Sequence, residues 1–215
     1  MISGLTLGER QTAVCLSLAL LVLGVIFAGA GQGDPLGVHG FIIAAYAVVV
    51  MGAVITGYYA PAPGADRLTQ YYDDPTKFGI IVAMLWAIFG MFVGDWVAWL
   101  LAYPDMTFDA AWASFGRLRP VHTTGVIFGF GGNALIATSY HVVQRTSRAR
   151  LPDQLSPWVV LIGYNLFCLL AVSGYLIGIT QSKEYAEPEW YADILLVIVW
   201  VTYFLLYIRT LARRQ

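Results

Sequence analysis

Charged side chains are scarce in this sequence of 215 residues, at 12% of the total, and only three histidines and two cysteines are present. A soluble domain carries about 25% charged residues. The hydrophobic fraction is 59% and the mean hydropathy is +0.69, which leaves too little polar surface to cover a water-soluble fold. The net charge of −1 argues against a nucleic-acid partner. These shortages indicate a polytopic protein of the lipid bilayer.

Cysteine chemistry is also limited. Cys15 and Cys168 both lie inside apolar runs, which predicts packing residues rather than a disulfide or a metal site. No loop is long enough for a soluble domain, and no internal repeat is visible. Seven Trp and thirteen Tyr suit a protein with two membrane interfaces.

Six apolar segments are each long enough to cross a bilayer, which takes about 20 helical residues. They lie at about 12–30, 38–60, 76–102, 120–146, 156–180 and 190–212. The first resembles a signal peptide in length, but few basic residues precede it and no clear cleavage site follows. Pro120 is well placed to begin the fourth helix. The sequence therefore predicts an all-α integral membrane protein with six transmembrane helices.

Basic residues are divided unequally between the two ends of these predicted helices. With the N-terminus in the cytoplasm, only Arg117, Arg119 and Lys183 of the twelve basic residues fall on the outer side. The other nine are Arg10, Arg67, Lys77, Arg145, Arg148, Arg150, Arg209, Arg213 and Arg214. This asymmetry follows the positive-inside rule, and six spans return the C-terminus to the cytoplasm. The loop 181–190 then lies at the outer face with Arg117 and Arg119.

His122 lies near the start of the fourth span, ahead of three glycines. Gly125, Gly129 and Gly132 follow it at offsets of 3, 7 and 10, which at about 100° per residue places all three on its face of an α-helix. Neutral imidazole is a common axial ligand of haem iron, and a glycine face offers room for a large flat cofactor. Small residues also serve ordinary helix–helix packing. These residues alone leave both interpretations open.

Charged residues at the predicted outer face allow two interpretations as well. Arg117 and Arg119 are either interfacial anchors or a site for carboxylates such as haem propionates, which guanidinium binds in a bidentate fork. The loop 181–190 has three glutamates in six residues, Glu184 and Glu187 among them. Such a loop is either a solvated turn or a source of hard oxygen ligands for Ca²⁺.

Three other polar residues lie in or near the spans. His39 begins the second span, and His141 is 19 residues beyond His122, about 28 Å along a helix. Both histidines are interpreted as structural or interfacial. Asp95 lies within the third span, where a carboxylate is costly and therefore a functional suspect by default.

Two stretches, 115–151 (FGRLRPVHTTGVIFGFGGNALIATSYHVVQRTSRARL) and 174–204 (GYLIGITQSKEYAEPEWYADILLVIVWVTYF), are long and specific. They closely resemble subunit I, the catalytic subunit, of cbb3-type cytochrome c oxidases, the C family of haem–copper oxidases. The resemblance runs over about 72–214. It implies that residues 1–64 form two N-terminal extra transmembrane helices and that residues 65–215 form the first four core helices of the subunit I bundle.

The resemblance also implies individual roles. His122, in an Arg-Pro-x-His motif, matches an axial ligand of low-spin haem b, and Arg119 matches a residue near the haem propionates. Glu184, in a Lys-Glu-Tyr-Ala-Glu motif, matches a ligand of a structural calcium ion that bridges the propionates and a neighbouring cytochrome c subunit. Glu187 lies close to that ion. Arg117, Gly125, Gly129 and Gly132 are predicted to belong to the same haem site from the residue pattern described above, not from the resemblance.

The sequence departs from the family in extent, because family members continue for several more helices. The remainder is expected to carry the second low-spin haem ligand, the copper-site histidines, the redox tyrosine and the ligand of the high-spin haem. Three histidines cannot build a haem–copper centre. We therefore expect the sequence to be the early part of a larger subunit, completed by the rest of subunit I or by another chain.

The resemblance implies that the sequence is part of the catalytic subunit of a terminal oxidase in the bacterial inner membrane. Electrons from membrane-bound cytochrome c subunits would enter haem b and pass to a haem–copper centre that reduces O₂ to water, coupled to proton pumping. One alternative is a stand-alone membrane haem-binding or assembly paralogue, in which His39 would be the second axial ligand. Another is a relative of nitric oxide reductase.

Overall fold

The computed structural model describes residues 5–58, 70–181 and 183–215, and within these residues all regular secondary structure is helical. Six helices are long and apolar enough to cross a membrane, which confirms the predicted all-α membrane fold. They are α1 (Leu7–Ala30), α2 (Pro35–Tyr58), α3 (Asp74–Ala102), α4 (Phe115–Thr146), α5 (Ser156–Ile177) and α6 (Trp190–Ala212). Two short 3₁₀ turns, Pro104–Thr107 and Ala111–Ala113, connect α3 to α4. The predicted boundary between residues 64 and 65 lies outside the described residues.

The first four helices begin two to five residues earlier than predicted, and hydrogen bonds account for two of these starts. In α1, Thr6 and Glu9 form a capping box: the Thr6 hydroxyl accepts the Glu9 N–H at 3.3 Å, and the Glu9 carboxylate accepts the Thr6 N–H at 2.8 Å. The prediction that Pro120 begins the fourth helix was wrong. The Ser114 carbonyl accepts the N–H groups of residues 117 and 118 at 3.0 and 2.9 Å, so the helix starts at Phe115. Pro120 is consequently its sixth residue.

The α4 helix is not uniformly α-helical, because Gly125–Gly132 forms a π-helical segment. The assumption of 100° per residue therefore fails for the glycines of this segment. Asn133 explains part of the change, since its side-chain Nδ2 donates to the Gly129 carbonyl at 2.7 Å. In an α-helix that carbonyl would accept the Asn133 backbone N–H. Such π segments occur frequently at functional sites.

The helices contribute to two compact units. The first comprises the described parts of Met1–Pro75, Ser139–Ile162 and Val199–Gln215. Within it, α1 and α2 pack closely at small residues. A Cβ added to Gly24 would lie 2.5 Å from the Ala44 backbone nitrogen, and one added to Gly40 would overlap the backbone of Ala28. Close approach of small residues is the usual means of helix packing in a bilayer.

A buried amide organises another part of this first unit. The Gln144 carbonyl oxygen accepts the backbone N–H of Tyr72 at 2.8 Å, and its amide donates to the Tyr72 carbonyl at 3.2 Å. The Tyr72 hydroxyl in turn accepts the Trp158 indole N–H at 2.8 Å. Burial raises the pKa of Tyr72 to about 12, so the phenol stays protonated. These bonds fix the segment that leads into α3.

The second unit comprises Thr76–Thr138 and Gly163–Ile198. It contains His122 and an apolar core contributed by α3, α4 and α5. The buried members of that core are Val93, Leu100, Leu118, Val121, Ala171, Val172 and Tyr175. This core holds the three helices around the candidate site.

Candidate functional site

The imidazole of His122 is fixed by a single hydrogen bond to α3. Its Nδ1 lies 2.8 Å from the carbonyl oxygen of Gly90. A carbonyl can only accept, so this contact places a hydrogen on Nδ1, and in the neutral imidazole the lone pair is then on Nε2. Among the described residues Nε2 has no hydrogen-bond partner. Metal-ligating histidines are held in this way, with one ring nitrogen donating to the protein and the other free to bind the metal.

Two glycines of α3 allow the His122 ring to pack closely against that helix. A Cβ added to Gly94 would lie 2.5 Å from His122 Cε1 and 2.6 Å from Nδ1, closer than real side chains approach. One added to Gly90 would lie 2.9 Å from Val126 Cγ2, and Gly90 Cα also lies close to Gly125. Neither Gly90 nor Gly94 was among the predicted site residues. Their Gly-x-x-x-Gly spacing is a known signal of close helix packing and could have found them.

The predicted glycine face packs against neighbouring helices. A Cβ added to Gly129 would lie 2.6 to 2.8 Å from three atoms of the Trp86 indole, and one added to Gly132 would overlap the Tyr164 hydroxyl. The packing interpretation that the sequence left open therefore describes what these glycines do in this structure. Their part in a haem-binding face stays a prediction.

Beside these glycines lies a buried network of amide side chains. Asn165 Oδ1 accepts the Trp86 indole N–H at 2.8 Å and the Asn133 amide at 3.2 Å, and Asn165 Nδ2 donates to Asn133 Oδ1 at 2.8 Å. The network joins α3, α4 and α5. None of its members was predicted, although an amide inside an apolar span is itself a signal, because polar groups in a membrane must find partners.

Arg117 binds the C-terminal end of α5. Its NH1 donates to the Leu176 carbonyl at 2.9 Å. Gly178, with φ of +88°, turns the chain beneath the guanidinium, and a Cβ there would lie 2.7 Å from Arg117 NH2. A cation is favoured at the negative end of the helix dipole. The structure thus gives Arg117 a helix-capping contact beside its predicted place at the haem.

The structure brings together two predicted site residues, Arg119 and Glu184. Arg119 NH1 lies 3.4 Å from Glu184 Oε1, and the side chains are 42% and 65% exposed. This is one long contact between two solvated groups, so it contributes little to stability. Among the residues that the structure describes, most of the Arg119 donors and one Glu184 oxygen have no partner.

Glu187 is buried and takes part in the fold of its loop through its backbone. Its carbonyl accepts the Gln181 N–H at 2.7 Å and the Thr180 hydroxyl at 3.2 Å, while the Gln181 side chain donates to the Pro188 carbonyl at 2.8 Å. In the described ranges, which omit Ser182 of this loop, no three His, Cys, Asp or Glu side chains group as a metal site. The calcium assignment of Glu184 and Glu187 stays a prediction.

The remaining suspects lie elsewhere. Asp95 is exposed on α3 and has no hydrogen-bond or ion-pair partner among the residues that the structure describes. His39 is buried in α2 and His141 is exposed on α4, and both belong to the first unit rather than to that of His122. Cys168 is buried as predicted, whereas Cys15 is exposed on α1, and both are free thiols.

Comparison of the sequence with known proteins assigns this chain to a family. The family model described as cytochrome C and quinol oxidase polypeptide I matches residues 74–215. The chain is 47% identical over 216 residues to "Cytochrome c oxidase subunit 1 homolog, bacteroid" of Bradyrhizobium diazoefficiens, covering 98% of this chain and 39% of the relative. It is 46% identical over 213 residues to a cytochrome c oxidase subunit 1 homolog of Azorhizobium caulinodans, covering 97% and 39%.

A further relative names the subfamily. "Cbb3-type cytochrome c oxidase subunit CcoN1" of Stutzerimonas stutzeri is 49% identical over 147 residues, covering 68% of this chain and 31% of the relative. The chain spans about two fifths of the length of the two rhizobial relatives. Their alignments cover nearly the whole chain, whereas the family model begins at the first residue of α3. The chain belongs to the cytochrome c and quinol oxidase polypeptide I family, which confirms the resemblance to cbb3-type subunit I.

Proposed function

We propose that this chain is part of the catalytic subunit of a cbb3-type cytochrome c oxidase and that His122 is an axial ligand of its low-spin haem b. The observation that carries the proposal is the fixed imidazole: Nδ1 is held by the Gly90 carbonyl at 2.8 Å, which leaves the Nε2 lone pair for iron. Bound haem supplies a one-electron iron couple. Gly90 and Gly94 hold the ring in place before any metal binds.

The charged residues nearby would serve the polar edge of the haem. Arg119 keeps donors for a propionate because its contact with Glu184 is single and long. Arg117 is anchored at Leu176 and would add a second guanidinium. For calcium, Glu184 is the accessible carboxylate and Glu187 supports the loop. A calcium ion would need further oxygen ligands beyond these acidic side chains, since Ca²⁺ takes six to eight.

The wider activity is proposed from the family. Electrons from membrane-bound cytochrome c subunits would reach haem b, and the rest of subunit I would hold the high-spin haem and copper at which O₂ is reduced to water with proton translocation. We place the chain in the bacterial inner membrane with both termini in the cytoplasm, from the distribution of basic residues. Residues 1–64 are proposed as extra helices because the family model starts at residue 74.

The direct test is the optical and electron paramagnetic resonance spectrum of the purified complex. His122→Ala is expected to abolish the six-coordinate low-spin haem b signal. His141→Ala provides a matched control, because it removes the same side chain from the same helix at an exposed position. A low-spin signal that survives in His122→Ala would refute the assignment.

A second variant distinguishes the oxidase from a stand-alone haem protein. The alternative needs His39 as the second axial ligand, so His39→Ala would abolish the signal there. We expect the spectrum to change little, since the oxidase proposal draws the second ligand from the remainder of the subunit.

A further inference from the structure

A cavity of about 790 Å³ lies in the first unit. Its wall is built by the start of α1, Tyr71 shortly before α3, the loop between α4 and α5, and the residues after α6. All of these are helix ends, which the length of the spans places at a bilayer surface. The volume falls within the range of about 300–1,000 Å³ that is usual for small-molecule sites.

Three arginines and two carboxylates line this cavity, and the carboxylates are already engaged. Glu9 accepts the Gln154 N–H at 2.7 Å in addition to its capping bonds. Asp153 accepts the Ser156 N–H at 2.7 Å and pairs with Arg209, which does not line the cavity, at 3.3 Å. The three arginines in the wall are Arg148, Arg150 and Arg213. Three guanidinium groups against two carboxylates, one of them paired with Arg209, leave an excess of positive charge, which favours an anion.

Arg148 occupies a position that normally belongs to glycine or asparagine. The C-terminal end of α4 is a Schellman motif: the Ala149 N–H bonds the Gln144 carbonyl at 3.0 Å, and the Arg148 N–H bonds the Arg145 carbonyl at 3.3 Å. Arg148 is the left-handed residue of this motif, with φ of +49°. A non-glycine residue in this conformation is strained, and such strain concentrates at functional sites.

The Arg148 side chain is exposed and makes no hydrogen bond to any residue that the structure describes. Neither a hydrogen bond nor burial against the described residues thus accounts for an arginine at this position. The other two arginines are held in the wall. Arg150 donates to the Gln70 carbonyl at 2.8 Å and lies over the Tyr72 ring at 4.8 Å, and Arg213 donates to the Pro152 carbonyl at 3.2 Å.

We propose that this cavity binds a phosphate group, presented either by the headgroup of an anionic phospholipid or by free inorganic phosphate. A guanidinium binds phosphate oxygens through two parallel N–H bonds, and the cavity offers three of them. Its place at the helix ends is where headgroups lie, and basic pockets between transmembrane helices bind anionic lipids. Arg148 supplies a guanidinium that has no partner among the described residues, and phosphate binding would account for an arginine in the left-handed position at the end of α4. The site does not depend on the proposed haem.

The test uses the purified detergent-solubilised complex and two probes. Native mass spectrometry measures binding of phosphatidylglycerol against phosphatidylcholine, and calorimetric titration measures binding of inorganic phosphate. Arg148→Asn removes the charge and relieves the strain, because asparagine tolerates the left-handed conformation. It is expected to weaken binding about tenfold without lowering the unfolding temperature, as a charge-assisted hydrogen bond predicts. Arg148→Asn combined with Arg213→Gln should weaken it about a hundredfold.

Arg214→Gln is the matched control. Arg214 directly follows Arg213 in the sequence, is exposed and lies outside the cavity wall, so this variant removes an arginine charge without changing the cavity. Its binding should equal that of the unaltered protein. Arginine-dependent binding of phosphatidylglycerol identifies a lipid site, and arginine-dependent binding of inorganic phosphate alone identifies a soluble ligand. Equal binding of both probes by the unaltered protein and the double variant overturns the proposal, as does a loss that Arg214→Gln shares.

Discussion

The α4 helix carries an arginine near each end that pairs with an acid from a distant part of the sequence, and the two pairs are built differently. Arg145 binds Asp73 through both guanidinium nitrogens, at 3.0 and 2.7 Å, and lies over the Tyr71 ring at 4.9 Å. Arg119 meets Glu184 through one contact of 3.4 Å. In the first pair both terminal guanidinium nitrogens bind the carboxylate. In the second pair one nitrogen does so, and most of the Arg119 donors have no partner among the described residues.

This difference separates a structural arginine from one prepared for a ligand. A bidentate, stacked guanidinium has fixed geometry and little capacity for another anion. A single long contact between exposed groups is worth little and exchanges easily. The arginine beside His122 is the available one, which agrees with a carboxylate-bearing cofactor there. The arginine beside Asp73 fixes the segment before α3 to the end of α4.

The strongest way to sharpen this comparison is to displace His122 while leaving Arg119 unchanged. Gly94→Ala puts a methyl group where the imidazole now lies, 2.5 Å from Cε1. The ring must move, and its bond to the Gly90 carbonyl must lengthen or break. We expect the low-spin haem b spectrum to be lost or converted to a high-spin form, measured on the purified complex.

Gly52→Ala is the matched control for this substitution. It adds the same methyl group inside α2, where no described residue beyond the neighbouring helix backbone lies within 4 Å of the added carbon. Alanine also favours a helix over glycine by about 1 kcal/mol. The control should keep the spectrum, and its unfolding temperature should not fall. An unchanged spectrum in Gly94→Ala would contradict our description of Gly94 as the residue that leaves space for the His122 ring.

The membrane fold could be predicted from the sequence because its signals are local. Runs of about 20 apolar residues, bounded by prolines and charges, gave all six spans, with α6 matching at 190–212. The start of α4 could not be placed, because a favourable position for proline is only a preference, and the Ser114 carbonyl had already begun the helix. The π segment was missed because the sequence analysis assumed 100° per residue throughout the helix, and the bond from the Asn133 side chain to Gly129 at its end is visible only in the structure.

The candidate site was predicted in part, for a physical reason. His122, Arg119 and Glu184 lie in recognisable motifs, and the structure brings the last two together. Gly90 and Gly94 could not be assigned to the site because their role is to lack a side chain opposite a particular ring. That relation exists only once α3 and α4 are packed. The same holds for Asn165, whose partners come from two other helices.

A change in the amide network is expected to have an intermediate effect on stability, and it involves no charged residue. Asn165→Leu keeps the number of non-hydrogen side-chain atoms but removes the acceptor of the Trp86 indole N–H and both hydrogen bonds to Asn133. The Asn133 amide then keeps only its bond to the Gly129 carbonyl among the described residues. A hydrogen bond between membrane helices is worth about 0.6 kcal/mol on average and up to about 1.7, so we expect a loss of about 1 to 2 kcal/mol. Thermal unfolding in detergent measures it.

Ser173→Ala is the control for that experiment. It removes a hydroxyl from the same helix, α5, where the group bonds only carbonyls of its own helix, those of Leu169 and Leu170. Its stability should be close to that of the unaltered protein. If Asn165→Leu is equally stable, the network does not hold α3, α4 and α5 together.

The smallest effects test the two arginines against each other. Arg145→Gln breaks a bidentate pair and a stacked contact, so it should lower the free energy of unfolding by about 1 kcal/mol and leave the haem b midpoint potential unchanged. Arg119→Gln breaks one exposed contact, so stability should fall by less than about 0.5 kcal/mol. The midpoint potential of the proposed haem should instead fall, because removal of the Arg119 positive charge would favour the ferric form. Potentiometric titration and thermal unfolding of both variants separate these outcomes. Identical behaviour of the two variants in both measurements would mean that the geometric difference between the pairs has no functional consequence.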